Sequence, residues 1–257
     1  MGELKEKASR YADSFDGAAA LGDSGSRSLK AAKIRAVLEA DGVKFGADLR
    51  ILDIGCAHGL ILRSITPEGA FGVGIDMDES LGCKAKNLVF LRTDAERLPF
   101  RSDSFDVVIC NHVYEHTDDA SRLVAEIARV LTPDGRCYFA GPNKYDLVEP
   151  HYRLPLLSWF PRKIADAYMR LAGKGSGYPE KPYSPGRLRK LVAGFDVRIY
   201  TDRILRDPAR FHATDMLRPG SARQSLALFV YRLAPFIFPG FVYVLRKKRP
   251  EIQENSL

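Results

Sequence analysis

Asp53-Ile54-Gly55-Cys56-Ala57-His58-Gly59 is the stretch on which the fold of this chain turns. The apolar run Leu49–Ile54 leading into it reads as a strand, and Leu60-Ile61-Leu62 beyond it opens a helix. Gly55 lets the backbone turn sharply and lets a ligand come close to it, while Gly59 admits tight packing of the helix. Ala57 sits between them, and its methyl group calls for a turn with negative φ at that residue. His58 is expected at the surface. Strand, glycine turn and helix open a βαβ unit, and open α/β sheets bind ligands beyond the carboxyl ends of their strands. Alone, such a turn fits any nucleotide-binding unit.

Working outward, short apolar runs alternate with helical stretches. Phe71–Ile75, Leu88–Leu91, Val107–Cys110 and Arg136–Ala140 read as four more strands. Leu123, Val124, Ile127, Val130 and Leu131 recur at helical spacing within Asp119–Leu131, and Thr132-Pro133-Asp134-Gly135 reads as the turn that stops this helix. Upstream, Leu29–Ala40 is helical by the same periodicity. Strands apolar on both faces and joined by helices imply a parallel sheet covered on both sides, and right-handed crossovers make it doubly wound. Phe195–Tyr200 and Phe241–Leu245 read as the last two strands, Arg223–Ala234 as a helix and Pro235–Gly240 as a turn. Residues 1–28 read as a flexible leader and Arg249–Leu257 as a frayed end.

Acidic residues follow the next two strands. Asp76 ends Gly72-Val73-Gly74-Ile75-Asp76, where a carboxylate can accept both hydroxyls of a ribose. Asp94 opens Asp94-Ala95-Glu96-Arg97-Leu98-Pro99-Phe100, placed to accept from an exocyclic amine. Together with Asp53–Gly59, Ser104–Asp106, Glu115-His116 and Leu131–Gly135, these segments resemble the ordered motifs of class I S-adenosylmethionine-dependent methyltransferases, in particular the small-molecule type that includes ubiquinone- and menaquinone-biosynthesis-like enzymes. The resemblance covers about residues 48–142. It implies an α/β, Rossmann-like, doubly wound seven-stranded sheet, mostly parallel with an antiparallel last strand, and a cap region inserted after the fifth strand. The division expected is 1–47 for leader and first helix and 48–257 for the methyltransferase domain, with 141–186 as the acceptor-side insertion.

The resemblance also implies S-adenosylmethionine as cofactor, and roles for single residues. Asp53 and the Gly55-Cys56 turn, closed by Gly59, lie by its methionine part; Asp76 holds the ribose, with Met77 on the adenine face. Asp94 takes the adenine amine, the Ala95 amide a ring nitrogen, and Asn111 faces the sulfonium region. His112, Glu115 and His116 cluster after the fourth strand. His116 is the candidate base, because an imidazole titrates near neutrality; Glu115-His116 as a helix cap is the other reading.

The acceptor is expected to be a small or lipid-like molecule. Gly141-Pro142-Asn143 lies at the acceptor pocket by the resemblance, and Glu149–Pro161 mixes aromatics with His and Arg, so that Tyr152, Trp159 and Phe160 suit an apolar substrate or pack a core. A helix is expected over Pro161–Ala172 and a loop over Gly173–Gly177. The alternatives are an RNA or protein methyltransferase, or a non-catalytic member of the fold. Nucleic acid is disfavoured because no separate RNA-binding module is present and Asn111-His112-Val113-Tyr114 lacks the Pro-Pro-aromatic pattern.

Composition bounds these readings. The 257 residues are 46% hydrophobic and 28% charged, an ordinary globular make-up. The net charge of +7 is lopsided: residues 141–257 hold 21 Lys/Arg against 10 Asp/Glu, and residues 1–140 hold 18 against 22. A basic second half attracts phosphate, nucleic acid or an anionic membrane, or is simply solvated. The apolar Ala234–Phe238 turn with Arg246–Arg249 nearby reads as a peripheral contact with anionic lipid. Leu226–Leu245 reaches the length of a membrane span, but Arg232 and two prolines interrupt it. A polar start places the chain in the cytoplasm, with membrane contact peripheral. Cys56, Cys83, Cys110 and Cys137 include no close pair, so they are expected as free, mostly buried thiols, and no metal is expected.

Overall fold

The computed structural model describes residues 24–77 and 85–248; Cys83, most of the expected leader and the expected frayed end lie outside the described residues. The strands are β1 (Arg50–Ile54), β2 (Phe71–Asp76), β3 (Leu88–Arg92), β4 (Phe105–Asn111), β5 (Leu131–Gly141), β6 (Phe195–Ile199) and β7 (Phe241–Lys247). The helices are α1 (Ser24–Ala40), α2 (Leu60–Ile65), α3 (Ala120–Val130), α4 (Arg162–Leu171), α5 (Pro185–Leu191), α6 (Thr201–Arg206) and α7 (Ala222–Leu233). All strands join one seven-stranded sheet in the order β3-β2-β1-β4-β5-β7-β6. β1 to β5 pair in parallel, and β7 runs antiparallel to both β5 and β6. This is the Rossmann-like sheet the motifs imply.

Alternation along the strands sends side chains to two cores. On one face Ile51, Val107, Ile109 and Tyr138 pack against Ile34 and Leu38 of α1, Leu62 of α2 and Ile204 of α6. On the other, Leu52, Ile54, Val108 and Cys110 pack against Leu123 and Ile127 of α3 and Leu188 of α5. β3 departs from the doubly buried pattern: Val89 and Leu91 face outward at the sheet edge. The Thr132–Gly135 segment does not simply end the helix. Leu131 already pairs with Phe105, the next four residues bulge out, and pairing resumes at Arg136 opposite Val107.

Two ionic clusters fix the ends of the layers. Arg50 grips Asp106 with Nε–Oδ2 3.0 Å and Nη2–Oδ1 2.8 Å at the amino end of the sheet. Buried Asp41, just past α1, accepts from Arg136 Nε (3.1 Å), Arg246 Nε (2.8 Å) and the Tyr200 hydroxyl (3.1 Å). The segment after β5 has its own small core of Tyr152, Leu157, Ala165, Met169 and Tyr178, and so forms a distinct cap carrying α4. No helix among the described residues is long and apolar enough to cross a membrane.

Candidate functional site

The order in which the chain lays down its strands reverses between the parallel neighbours β1 and β4. β2 and β3 lie to one side and β5 to the other, so the loops leaving β1 and β4 diverge and open a crevice at their carboxyl ends. Gly55 lies at this crevice with φ +71°; a Cβ there would stand 2.6 Å from Val113 Cγ2, so only glycine lets the two loops meet. The Gly55 and Cys56 N–H groups both donate to the Ile75 carbonyl, at 2.8 and 3.0 Å, which locks the bend to β2. At Gly59, φ +70°, a Cβ would strike the Phe90 ring at 2.3 Å. Ala57 corrects the expectation of negative φ: it sits at +46°. Its N–H donates to Asp76 Oδ2 at 2.8 Å, and this bond holds the residue in the left-handed region. His58 is half-buried rather than at the surface, and lines a shallow depression with Arg27, Cys56, Ala57, Leu60 and Ile61.

Asp53 is buried at the base of the bend, and its Oδ2 has no hydrogen-bond partner. Burial, reinforced by the Asp76 charge and opposed by Arg27, pushes its carboxyl up to about 8. A buried acceptor left unsatisfied at a strand tip costs stability and marks a place shaped for a donor or a positive charge. By sequence Arg27 falls within the expected leader; α1 instead carries it over the bend, a placement no local spacing signals.

The neighbouring loops are held by side chains of their own. Met77 follows Asp76, and its carbonyl accepts from Arg92 Nε at 2.9 Å. Asp94 Oδ1 accepts the Glu96 N–H at 3.0 Å, so part of this carboxylate shapes its own turn. Ala95 packs on the α3-side core. Glu126 and Arg129 of α3 then clamp the rest of the loop: Glu126 Oε2 accepts from Leu98 N at 2.7 Å, and Arg129 donates to the Leu98 and Phe100 carbonyls. Asn111 ends β4 in register with Ala140. Asp53, Asp76 and Asp94 therefore come from the carboxyl ends of three adjacent parallel strands, as the order β3-β2-β1 requires.

Past β4 the chain makes a single 3-10 turn, Tyr114–His116. The helix after it is capped by Asp119, which accepts from Ser121 and Arg122, so Glu115-His116 is not a cap. Glu115 is fully buried and neither of its carboxylate oxygens has a hydrogen-bond partner. Histidines face it instead, with His112 Nδ1 at 3.3 Å and His116 Nε2 at 4.0 Å, and they draw its carboxyl below the usual range against the opposing effect of burial. Burial lowers the His116 pKa, keeping the ring neutral.

The cap brings a second set of groups to this turn. The His151 ring lies edge-on to His116, with centroids 5.3 Å apart. His151 Nδ1 is 2.7 Å from Glu149 Oε1, while Glu149 Oε2 accepts from the His151 and Tyr152 amides. Buried Glu180 takes the Tyr152 hydroxyl at 3.2 Å, and burial lifts its carboxyl to about 7. Tyr152 is thus a core residue of the cap, whereas Trp159 and Phe160 remain part-exposed. Cys56, Cys110 and Cys137 are buried and in no disulfide, and burial raises the Cys110 and Cys137 thiols, so neither of these two supplies a thiolate.

Comparison with known proteins agrees with this arrangement. A family profile described as "Methyltransferase domain" matches residues 52–139. A ubiquinone biosynthesis O-methyltransferase of Neisseria meningitidis is 30% identical over 176 residues, covering 62% of this chain and 70% of that protein. The enzyme of the same name from Coxiella burnetii is 31% identical over 121 residues, covering 42% of this chain and 52% of its own length, so the match spans about half of that relative. Among solved structures, an S-adenosylmethionine-dependent methyltransferase from Mesorhizobium loti superposes with a TM-score of 0.52 at 18% identity, covering 82% of this chain and 96% of that one, a likeness of fold.

Proposed function

This chain belongs to the class I S-adenosylmethionine-dependent methyltransferase family, and we propose from that premise that it transfers a methyl group to a small or lipid-like acceptor. The observation that carries the reading is the crevice between β1 and β4. There a buried, unpartnered Asp53 oxygen lies under a bend that tolerates no side chain at Gly55. S-adenosylmethionine bound there supplies an activated methyl group on a cationic sulfur.

Asp53, with Gly55, Cys56 and Gly59 forming the bend, takes the methionine end, where a carboxylate suits an ammonium. Arg27 over the same bend suits the carboxylate of that end. Asp76 takes the ribose while also holding Ala57, since one carboxylate accepts several bonds. Met77 packs on adenine, Asp94 and the Ala95 amide read its edge, and Asn111 faces the sulfur. His116 stands on the acceptor side and takes the acceptor's proton as methyl transfer proceeds. Alignment of the acceptor with the sulfur–methyl bond supplies much of the rate, and the cap, with Trp159 and Phe160, is the element that aligns an apolar acceptor.

The acceptor class is supported by the quinone-biosynthesis enzymes among the relatives and by apolar surface on the cap. The deciding experiment is calorimetry with S-adenosylmethionine, followed by transfer of labelled methyl into cell-extract fractions. Saturable binding and label in the organic phase are expected. Label that nuclease releases would instead favour an RNA acceptor, and no cofactor binding would end the reading. His116→Gln should cut turnover and leave cofactor affinity unchanged; unchanged turnover removes His116 from the mechanism.

We also propose that the chain works in the cytoplasm and meets anionic membranes peripherally, through α7 and the turn after it.

A further inference from the structure

We propose that Glu115, His116 and His151 form a binding site for a divalent first-row metal ion of zinc-like preference. One ligand atom from each of these residues lies within 4.8 Å of the other two. Ligands at about 2.0–2.2 Å from a tetrahedral ion lie about 3.4 Å apart, so small side-chain rotations close the set. Two imidazoles and one carboxylate are a donor set for zinc, cobalt, manganese or iron rather than for calcium or magnesium. Three protein ligands leave a coordination position for an oxygen of a bound molecule.

Independent features point to the same ion. Glu115 has no exposed surface and neither carboxylate oxygen makes a well-aligned hydrogen bond, the nearest donor being His112 Nδ1 at 3.3 Å, so a carboxylate is desolvated with its acceptors poorly used. Such a group is costly unless a cation meets it. Behind His151, Glu149 Oε1 lies 2.7 Å from Nδ1, a contact that orients the ring. A carboxylate–histidine pair in that geometry is the usual outer support of a metal-bound imidazole.

The position gives the ion a task. Glu115 and His116 leave the tip of β4, on the acceptor side of the crevice, and His151 belongs to the cap. The ion would fasten cap to sheet and present its open position to an acceptor oxygen, lowering the pKa of a hydroxyl bound there. His116 would then serve as ligand and the acceptor's proton would leave to solvent. His116→Gln reduces turnover whether His116 is ligand or base, so turnover does not separate the two roles.

Metal binding does, and it needs neither cofactor nor acceptor, so its outcome is independent of the methyl-transfer reading. The full-length chain, stripped with chelator and dialysed, is titrated with Zn2+ by calorimetry and with Co2+ by visible absorption. One equivalent should bind, Co2+ giving the d–d bands of a low-coordinate site, and Zn2+ should raise the thermal midpoint. His151→Ala should abolish both signals. Glu149→Gln, which keeps the ligands and changes only their support, should weaken binding about 10- to 100-fold while far-UV dichroism stays unchanged. The proposal is overturned if the wild-type chain binds neither ion, or if both variants bind as the wild type does.

Discussion

Ala57 holds a left-handed backbone at the centre of the bend that would carry the cofactor, with φ +46° and its N–H fixed on Asp76. That conformation costs an L-residue about 1–2 kcal/mol, and glycine relieves it while gaining some freedom in the unfolded chain. Ala57→Gly should therefore raise the denaturant midpoint by up to about 1 kcal/mol of stability, with m unchanged, and tighten S-adenosylmethionine binding. A lower midpoint would mean that the methyl group makes a compensating contact. Asp53 offers a test by pH. Its carboxyl is raised from 3.8 to about 8 by burial and by Asp76, with Arg27 opposing. Between those values the folded chain binds a proton that the unfolded chain has released, so stability falls as pH rises from about 4 to 8 and levels off above. Asp53→Asn removes the titration. The variant should be more stable than wild type at pH 8, the gap should close toward pH 4, and cofactor affinity should drop. Parallel stability curves across that range would show that Asp53 does not titrate within it.

Among the secondary-structure elements, α1 is tied to the sheet most strongly through Asp41. The buried carboxylate draws together Arg136 on β5, Arg246 on β7 and Tyr200 ahead of α6, so one residue joins four elements distant in sequence. Asp41→Ala would leave two guanidiniums facing each other, each with only about a fifth of its side chain exposed. The expected loss is about 3 kcal/mol by denaturant unfolding, since breaking a buried pair strands its partner. A loss under half of that would mean solvent replaces Asp41. Legibility follows the same line between local and distant. β1 to β5 were readable because each strand buries apolar side chains within a few residues of a turn, and α3 because Leu123, Val124, Ile127 and Val130 repeat at 3.6. The Asp53–Gly59 bend was readable because its chemistry is contiguous. α5 and α6, of 7 and 6 residues, are too short to show a period and were missed. Arg27 over the bend, His151 against His116 and Asp41 between Arg136 and Arg246 each depend on chain segments that meet only in the folded sheet. Ala57 failed for another reason: its φ is imposed by Asp76, 19 residues on, against its own preference.

For the molecule as a whole, the basic second half meets its test at the membrane. The expected lipid contact at Arg246–Arg249 is corrected in part, because Arg246 is committed to Asp41 and Lys247 to Asp103, and Arg249 lies outside the described residues. The apolar half of that expectation extends into α7. Leu226, Phe229 and Leu233 recur on one face of the helix at 61, 60 and 65% exposure, and Phe236 continues the stripe into the turn. Arg218, Arg223 and Arg232 are exposed along it, while buried Gln224 docks the opposite side through bonds to the Leu205 and Arg206 carbonyls. An apolar face flanked by arginines is what a helix lying in the interface of an anionic bilayer presents. The chain should float with anionic liposomes at low salt, less with zwitterionic ones, and partly dissociate as salt screens the arginines. Leu226→Ser with Phe229→Ser and Leu233→Ser should remove flotation and leave unfolding unchanged, since these side chains contribute little to the core. If the wild type fails to float at low salt, the exposed stripe serves no lipid surface, and a lipid-like acceptor would have to reach the cap through water.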